Sequence, residues 1–104
     1  MTYQTASEAR GMTEGAAQSA FRQVYPADQP NFMTPYPLAF GWIDEDTVYE
    51  ISKGSGIYGE GIYGVTVVVR VGGEWKREPY ETTRSRCFES RRAAGNYVVS
   101  LRGA

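Results

Sequence analysis

Apolar positions along the chain repeat with two different periods, and the switch between them marks out the elements. After Thr13, the residues Ala17, Ala20, Phe21 and Val24 fall at i, i+3, i+4 and i+7, the stripe of one helical face. Thr13 offers a capping oxygen and Glu14 an acid in the first turn, both favourable at a helix N-terminus. Pro26 closes the segment, because the residue before a proline is pushed out of the helical region. The pattern predicts a helix over 14–24. Small and polar residues with Gly11 precede it, so a loose tail is expected over 1–12.

Period two takes over further along. Thr47–Ser52 alternates Tyr49 and Ile51 against Glu50 and Ser52. In Ile62–Val71, Tyr63, Val65, Val67, Val69 and Val71 share one face, with Thr66, Val68 and Arg70 on the other. Gly72-Gly73 reads as a two-residue hairpin turn, since glycine accepts positive φ. Glu74–Glu78 returns as its partner and Pro79 stops it. A further short strand is expected over Arg84–Phe88. Helical spacing then resumes: Ser90 caps, Ala94, Tyr97, Val98 and Leu101 form the stripe, and Gly103 follows its end.

Residues 25–41 fit neither period. Pro26, Pro30, Pro35 and Pro37 preclude helix and disfavour a central strand. Tyr25, Phe32, Met33, Tyr36, Leu38 and Phe40 argue against a free linker, so an extended aromatic arm packed on the domain is expected. The resulting fold class is α+β. It comprises an antiparallel sheet of three to four strands packed by a C-terminal helix, with an N-terminal helix and the Pro/aromatic-rich arm. The expected core is Tyr49, Ile51, Val65, Val67, Val69, Trp75, Phe88, Ala94, Tyr97, Val98 and Leu101.

Composition narrows the function classes. At 104 residues, 41% apolar and 22% charged, the chain suits one globular domain. No apolar run approaches the ~20 residues of a membrane span, and Met1–Thr5 has neither the basic nor the apolar region of a signal peptide. A cytoplasmic protein without membrane attachment is expected. One cysteine precludes an internal disulfide, and the absence of histidine removes Ser-His-Asp and Cys-His catalysis and most zinc sites. The sequence is therefore read as that of a non-enzyme with no cofactor and no metal.

Net charge is −1, but residues 1–69 hold three bases against eight acids and residues 70–104 eight bases against four acids. Such asymmetry marks a binding face, unless the two segments interleave in space and cancel. Asp44, Glu45, Asp46 and Glu50 carry oxygen ligands for a hard cation, yet lack EF-hand spacing and read as a solvated turn. Cys87 stands between Arg86 and Phe88 with no histidine or second cysteine, and reads as an inert, semi-buried thiol. Glu78 and Glu81 form a carboxylate pair that nothing in the pattern places around a cleft.

Two clusters carry the functional expectations. Arg84 and Arg86 alternate onto one predicted strand face, and Arg91 and Arg92 open the last helix, with Arg102 at its end. Arginine forks suit phosphate or carboxylate oxygens. The α-β-β-β-α order resembles the double-stranded RNA-binding domain, which implies phosphate contacts from Arg91 and Arg92. The long first connection, the missing lysine-rich run and the charge of −1 depart from that pattern. The second cluster is the arm with the glycine loop. Gly59-Glu60-Gly61-Ile62-Tyr63-Gly64-Val65 resembles the phosphate-covering loop of protein kinases. No catalytic-loop histidine, D-F-G or A-P-E accompanies it, and a strand rather than a helix follows, which also excludes the dinucleotide fingerprint. The loop thus reads as a strand connection presenting Tyr58.

The runs Tyr49–Ser52, Gly56–Gly59, Tyr63–Val67 and Arg86–Ser90, with Ala94 and Tyr97-Val98, resemble small uncharacterised accessory proteins of actinobacteria and their phages. That resemblance implies an accessory or inhibitor protein with no catalytic site. The expected activity is protein binding through Tyr36, Phe40 and Tyr58, rings that offer large area with few rotors. The alternative is nucleic-acid binding through Arg84, Arg86, Arg91 and Arg92.

Overall fold

A computed structural model describes residues 11–29, 34–54 and 60–103. The elements run α1 (Glu14–Val24), β1 (Tyr36–Asp44), β2 (Thr47–Lys53), β3 (Tyr63–Val71), β4 (Glu74–Arg77), β5 (Arg86–Phe88) and α2 (Arg91–Arg102). Both helix starts are as the caps predict: the Thr13 side chain accepts from the Ala16 N–H and Ser90 from the Ala93 N–H. Each satisfies one amide that has no partner within its helix.

The five strands form one antiparallel sheet in the order β1-β2-β3-β4. The last strand, β5, shares an edge of β3 with β4: β4 pairs along Val68–Val71 and β5 along Tyr63–Val65. Between these pairings the Val67 N–H donates instead to Ser85 Oγ at 2.9 Å. Gly72 and Gly73 turn the β3–β4 hairpin with φ of 60° and 82°, a conformation that side chains with a Cβ disfavour.

The sheet is covered on both faces. Phe21, Ala17 and Ala20 of α1 meet Phe40, Val48 and Val68 on one face, with Trp42 and Trp75 packed alongside. Ala94 and Val98 of α2 meet Tyr49, Ile51, Val65 and Val67 on the other. Three layers explain why Val65–Val68 is buried without a break, since a strand covered on both faces needs no polar side. Phe21 is 2% exposed and stacks on Tyr25 with ring centroids 5.1 Å apart.

Several expectations require correction. The arm assigned to 25–41 is not extended coil throughout, because Tyr36–Asp44 is strand β1. Pro37 is tolerated there because β1 lies at the sheet edge, where a missing N–H need not break a ladder. Register shifts between Pro37 and Ala39, and between Trp42 and Asp44, blur the alternation that would have disclosed a strand. The predicted antiparallel sheet is present as the four-strand path β1-β2-β3-β4, and β5 adds a fifth strand beside β4 on β3. Trp75 packs on the α1 face, not with Tyr49 and Ile51, because it pairs with Arg70 on β3. Cys87 is exposed, not semi-buried.

The free edge of β1 is closed by side chains from both helices. The Phe40 N–H donates to Glu14 Oε1 at 3.4 Å, and Arg102 Nε donates to the Trp42 carbonyl at 2.9 Å. Trp42 Nε1 donates to the Thr13 carbonyl at 2.8 Å. Charged groups on edge amides and carbonyls block a further strand from pairing there.

Candidate functional site

On β2, Glu50 follows Val48 and precedes Ser52 on the face that α1 covers. Alternation therefore delivers a carboxylate to the interior, and Glu50 is only 5% exposed. Its nearest counter-charge is Arg22 from the last turn of α1, whose Nη2 lies 3.7 Å from Oε2. That separation is longer than a charge-assisted hydrogen bond. Burial pushes the Glu50 carboxyl above its ordinary value of 4.5; Arg22 and the Ser52 hydroxyl pull it back by less.

Arg22 is held from three sides. Its Nη1 donates to the Tyr25 carbonyl at 3.2 Å, and its guanidinium carbon lies 5.8 Å and 5.3 Å from the Phe21 and Phe40 ring centroids. Ser52 shares a 2.8 Å hydrogen bond with Thr34, which precedes β1. The two ionic groups open into a cavity of about 200 Å³ walled by Phe21, Tyr25, Ala27, Thr34, Pro35, Pro37 and Thr66. The site thus has apolar walls, a guanidinium and a carboxylate side by side, and hydroxyls at its margin. Arg77 stacks on Tyr25 at 4.7 Å.

The sequence-predicted residues fall in different places. Tyr36 is 55% exposed, at the start of β1 between the wall residues Pro35 and Pro37. Phe40 is buried, its ring 5.5 Å from Phe21, so it supports the site from within the core and offers no free surface. Tyr58 lies outside the described residues. Arg84 precedes β5 rather than sharing a strand face with Arg86: its Nη2 and Nε bond Glu78 Oε2 at 2.8 Å and 2.9 Å. The same glutamate accepts the Arg84 N–H at 3.0 Å, so it is committed to that loop and not to a pair with Glu81. Arg86 stacks on Tyr97 at 5.4 Å. Arg91 and Arg92 are exposed in the first turn of α2, which carries no acid. Tyr36 does not line the cavity: it pairs with Lys53, one residue out of phase with Pro37 and Ser52, so it stands on the opposite face of the sheet, and the predicted arginines lie elsewhere too.

Asp44, Asp46 and Glu50 do not assemble. The Asp46 N–H donates to Asp44 Oδ1 at 2.8 Å within the β1–β2 turn, and Asp46 pairs with Arg70 at 2.9 Å, while Glu50 lies inside. No group of three or more metal-ligand side chains occurs among the described residues. No helix among them is long and apolar enough to cross a membrane.

Sequence reasoning missed Arg22 and the interior role of Glu50. The available signal was the α1 stripe, which demands a covering surface, together with Val48 and Val68 on the sheet face that Glu50 shares. The chain matches no protein-family model, no curated protein and no solved structure.

Proposed function

We propose that the domain is a non-enzymatic protein-binding module whose partner docks over this cavity. The observation that carries this reading is the pairing of apolar walls with a buried, loosely paired ionic floor. A buried acid whose charge is disfavoured opposes folding, and such groups cluster at functional sites. A volume of about 200 Å³ is below the 300–1,000 Å³ of small-molecule sites and matches one side chain of a partner.

The nucleic-acid alternative rests on Arg91 and Arg92, which are exposed with no acid in their turn. One experiment separates the two readings. Wild type, Tyr36→Ala, Ala27→Trp (which plugs the rim) and the double variant Arg91→Ala/Arg92→Ala are used to capture partners from host lysate with and without nuclease. Protein capture should fail with Ala27→Trp, persist with Tyr36→Ala and with the double arginine variant, and survive nuclease. Rising salt should weaken it little, whereas phosphate contacts each give a log–log slope of about −0.9. Capture lost only with the arginine variant, or on nuclease treatment, overturns the protein-binding reading.

A further inference from the structure

The floor of the cavity presents one donor and one acceptor facing the same space. Arg22 Nη2 and Glu50 Oε2 stand 3.7 Å apart, close enough to be read by one small group and too far to satisfy each other fully. Each candidate partner side chain is judged by what it leaves unpaired. A carboxylate accepts from Arg22 but meets the charge of Glu50. An ammonium donates to Glu50 but meets Arg22 and, behind Tyr25, Arg77. An alkyl chain strips water from both ionic groups and returns no hydrogen bond, which is costly.

A primary carboxamide answers both at once. Its oxygen accepts from Arg22 while the N–H on the same edge donates to Glu50. Bond lengths of 1.23 Å and 1.33 Å put that oxygen and nitrogen about 2.2 Å apart. Two hydrogen bonds of about 2.9 Å then reach the 3.7 Å pair with less than about 1 Å of splay at each end. A backbone amide cannot substitute, because in the trans form its N–H and C=O point in opposite directions. We infer that this cavity is a recognition pocket for the side chain of a glutamine or asparagine presented by a partner protein. The inference rests on the protein-binding reading and adds the chemical identity of the group that enters.

The test uses the full-length, ¹⁵N-labelled protein and four capped amino acids: N-acetyl methylamides of glutamine, glutamate, lysine and leucine. Their backbones are identical, so differences report the side chain alone. The glutamine probe should shift the Glu50, Thr66 and Arg22 signals saturably. It should bind at least about tenfold more tightly than the other three, the equivalent of one hydrogen bond to a charged group. Glu50→Leu and Arg22→Met, each retaining a dispersed spectrum, should both lose that preference. If either variant fails to fold, the other carries the comparison. Tightest binding by lysine or glutamate, equal response to all four, or no response to glutamine overturns the assignment. Partner capture that Ala27→Trp abolishes but that accompanies an indifferent pocket would leave the protein-binding reading standing and remove the carboxamide. Carboxamide-selective binding without a captured protein would do the reverse.

Discussion

Glu50 is where residue-level physics and the fold pull in opposite directions. Its carboxyl titrates above 4.5 in the folded protein because burial disfavours the charge. The folded state therefore binds a proton more readily than the unfolded chain. Its contribution to stability is fully present below about 4.5 and is lost as pH rises through the raised folded value. Glu50→Gln, which keeps the shape and removes the charge, should raise Tm at pH 7, and the gain should shrink as the pH is lowered to 4. Thermal melts across that range check it; a variant less stable than wild type at pH 7 would mean that Arg22 more than compensates the burial. Gly41 offers a second test at this scale. A Cβ at this position would meet the Tyr49 ring, with Cζ at 2.6 Å and Cε1 at 2.7 Å. Gly41→Ala should cost about 1–3 kcal/mol, the range for an overpacked site, measured by urea unfolding. Tyr49 is further held by Arg102 Nη2, which donates to its hydroxyl at 3.1 Å, so the ring has little freedom to retreat.

Among the elements, α1 contributes most that a single substitution can reveal. Phe21 is 2% exposed between Tyr25 and Phe40. Phe21→Ala should destabilise by about 3–5 kcal/mol, and it should also empty the wall of the cavity. Ser90→Ala removes the α2 cap and should cost about 1 kcal/mol, a fall in Tm of roughly 4–8 °C. A melt unchanged by Ser90→Ala would show that packing on the sheet, not the cap, holds α2. These two helices were legible from the sequence because cap, stripe and stop agree at each. The hairpin β3–β4 was legible from Gly72-Gly73. Strand β1 was not: Pro37 argues against a strand, and the irregular register at Leu38 and Ile43 breaks the period that would identify one. The pocket was hidden for a related reason. Glu50 reads as the polar side of a half-exposed strand until α1 is known to cover that side, and that covering is a long-range packing decision.

At the scale of the whole molecule, the charge imbalance between the two ends of the sequence is partly offset where the two segments meet. Basic residues from the later segment pair with the earlier one: Arg70 with Asp46 at 2.9 Å, and Arg102 with the Trp42 carbonyl at 2.9 Å. The pairs are exposed, and exposed ion pairs stabilise little. Arg70→Ala should therefore change stability by under about 1 kcal/mol, and Tm should be nearly independent of added salt. The α+β class survives from pattern to structure because it rests on period alone. The division of the core into two separate clusters, one for each helix, emerges only from topology.

Trp42 and Trp75 are the only two tryptophans in the chain. They belong to β1 and β4, strands that never touch as neighbours because β2 and β3 lie between them. Yet their rings meet at 5.9 Å with an interplanar angle of 65°. Such proximity requires three successive strand pairings in correct register, so the indole pair is an optical gauge of complete sheet assembly. Coupled transitions at this distance should give an exciton couplet in the circular dichroism of the native protein that either Trp42→Phe or Trp75→Phe abolishes. During refolding, the couplet should appear only with the last strand pairing, later than the helical signal, which needs local contacts alone.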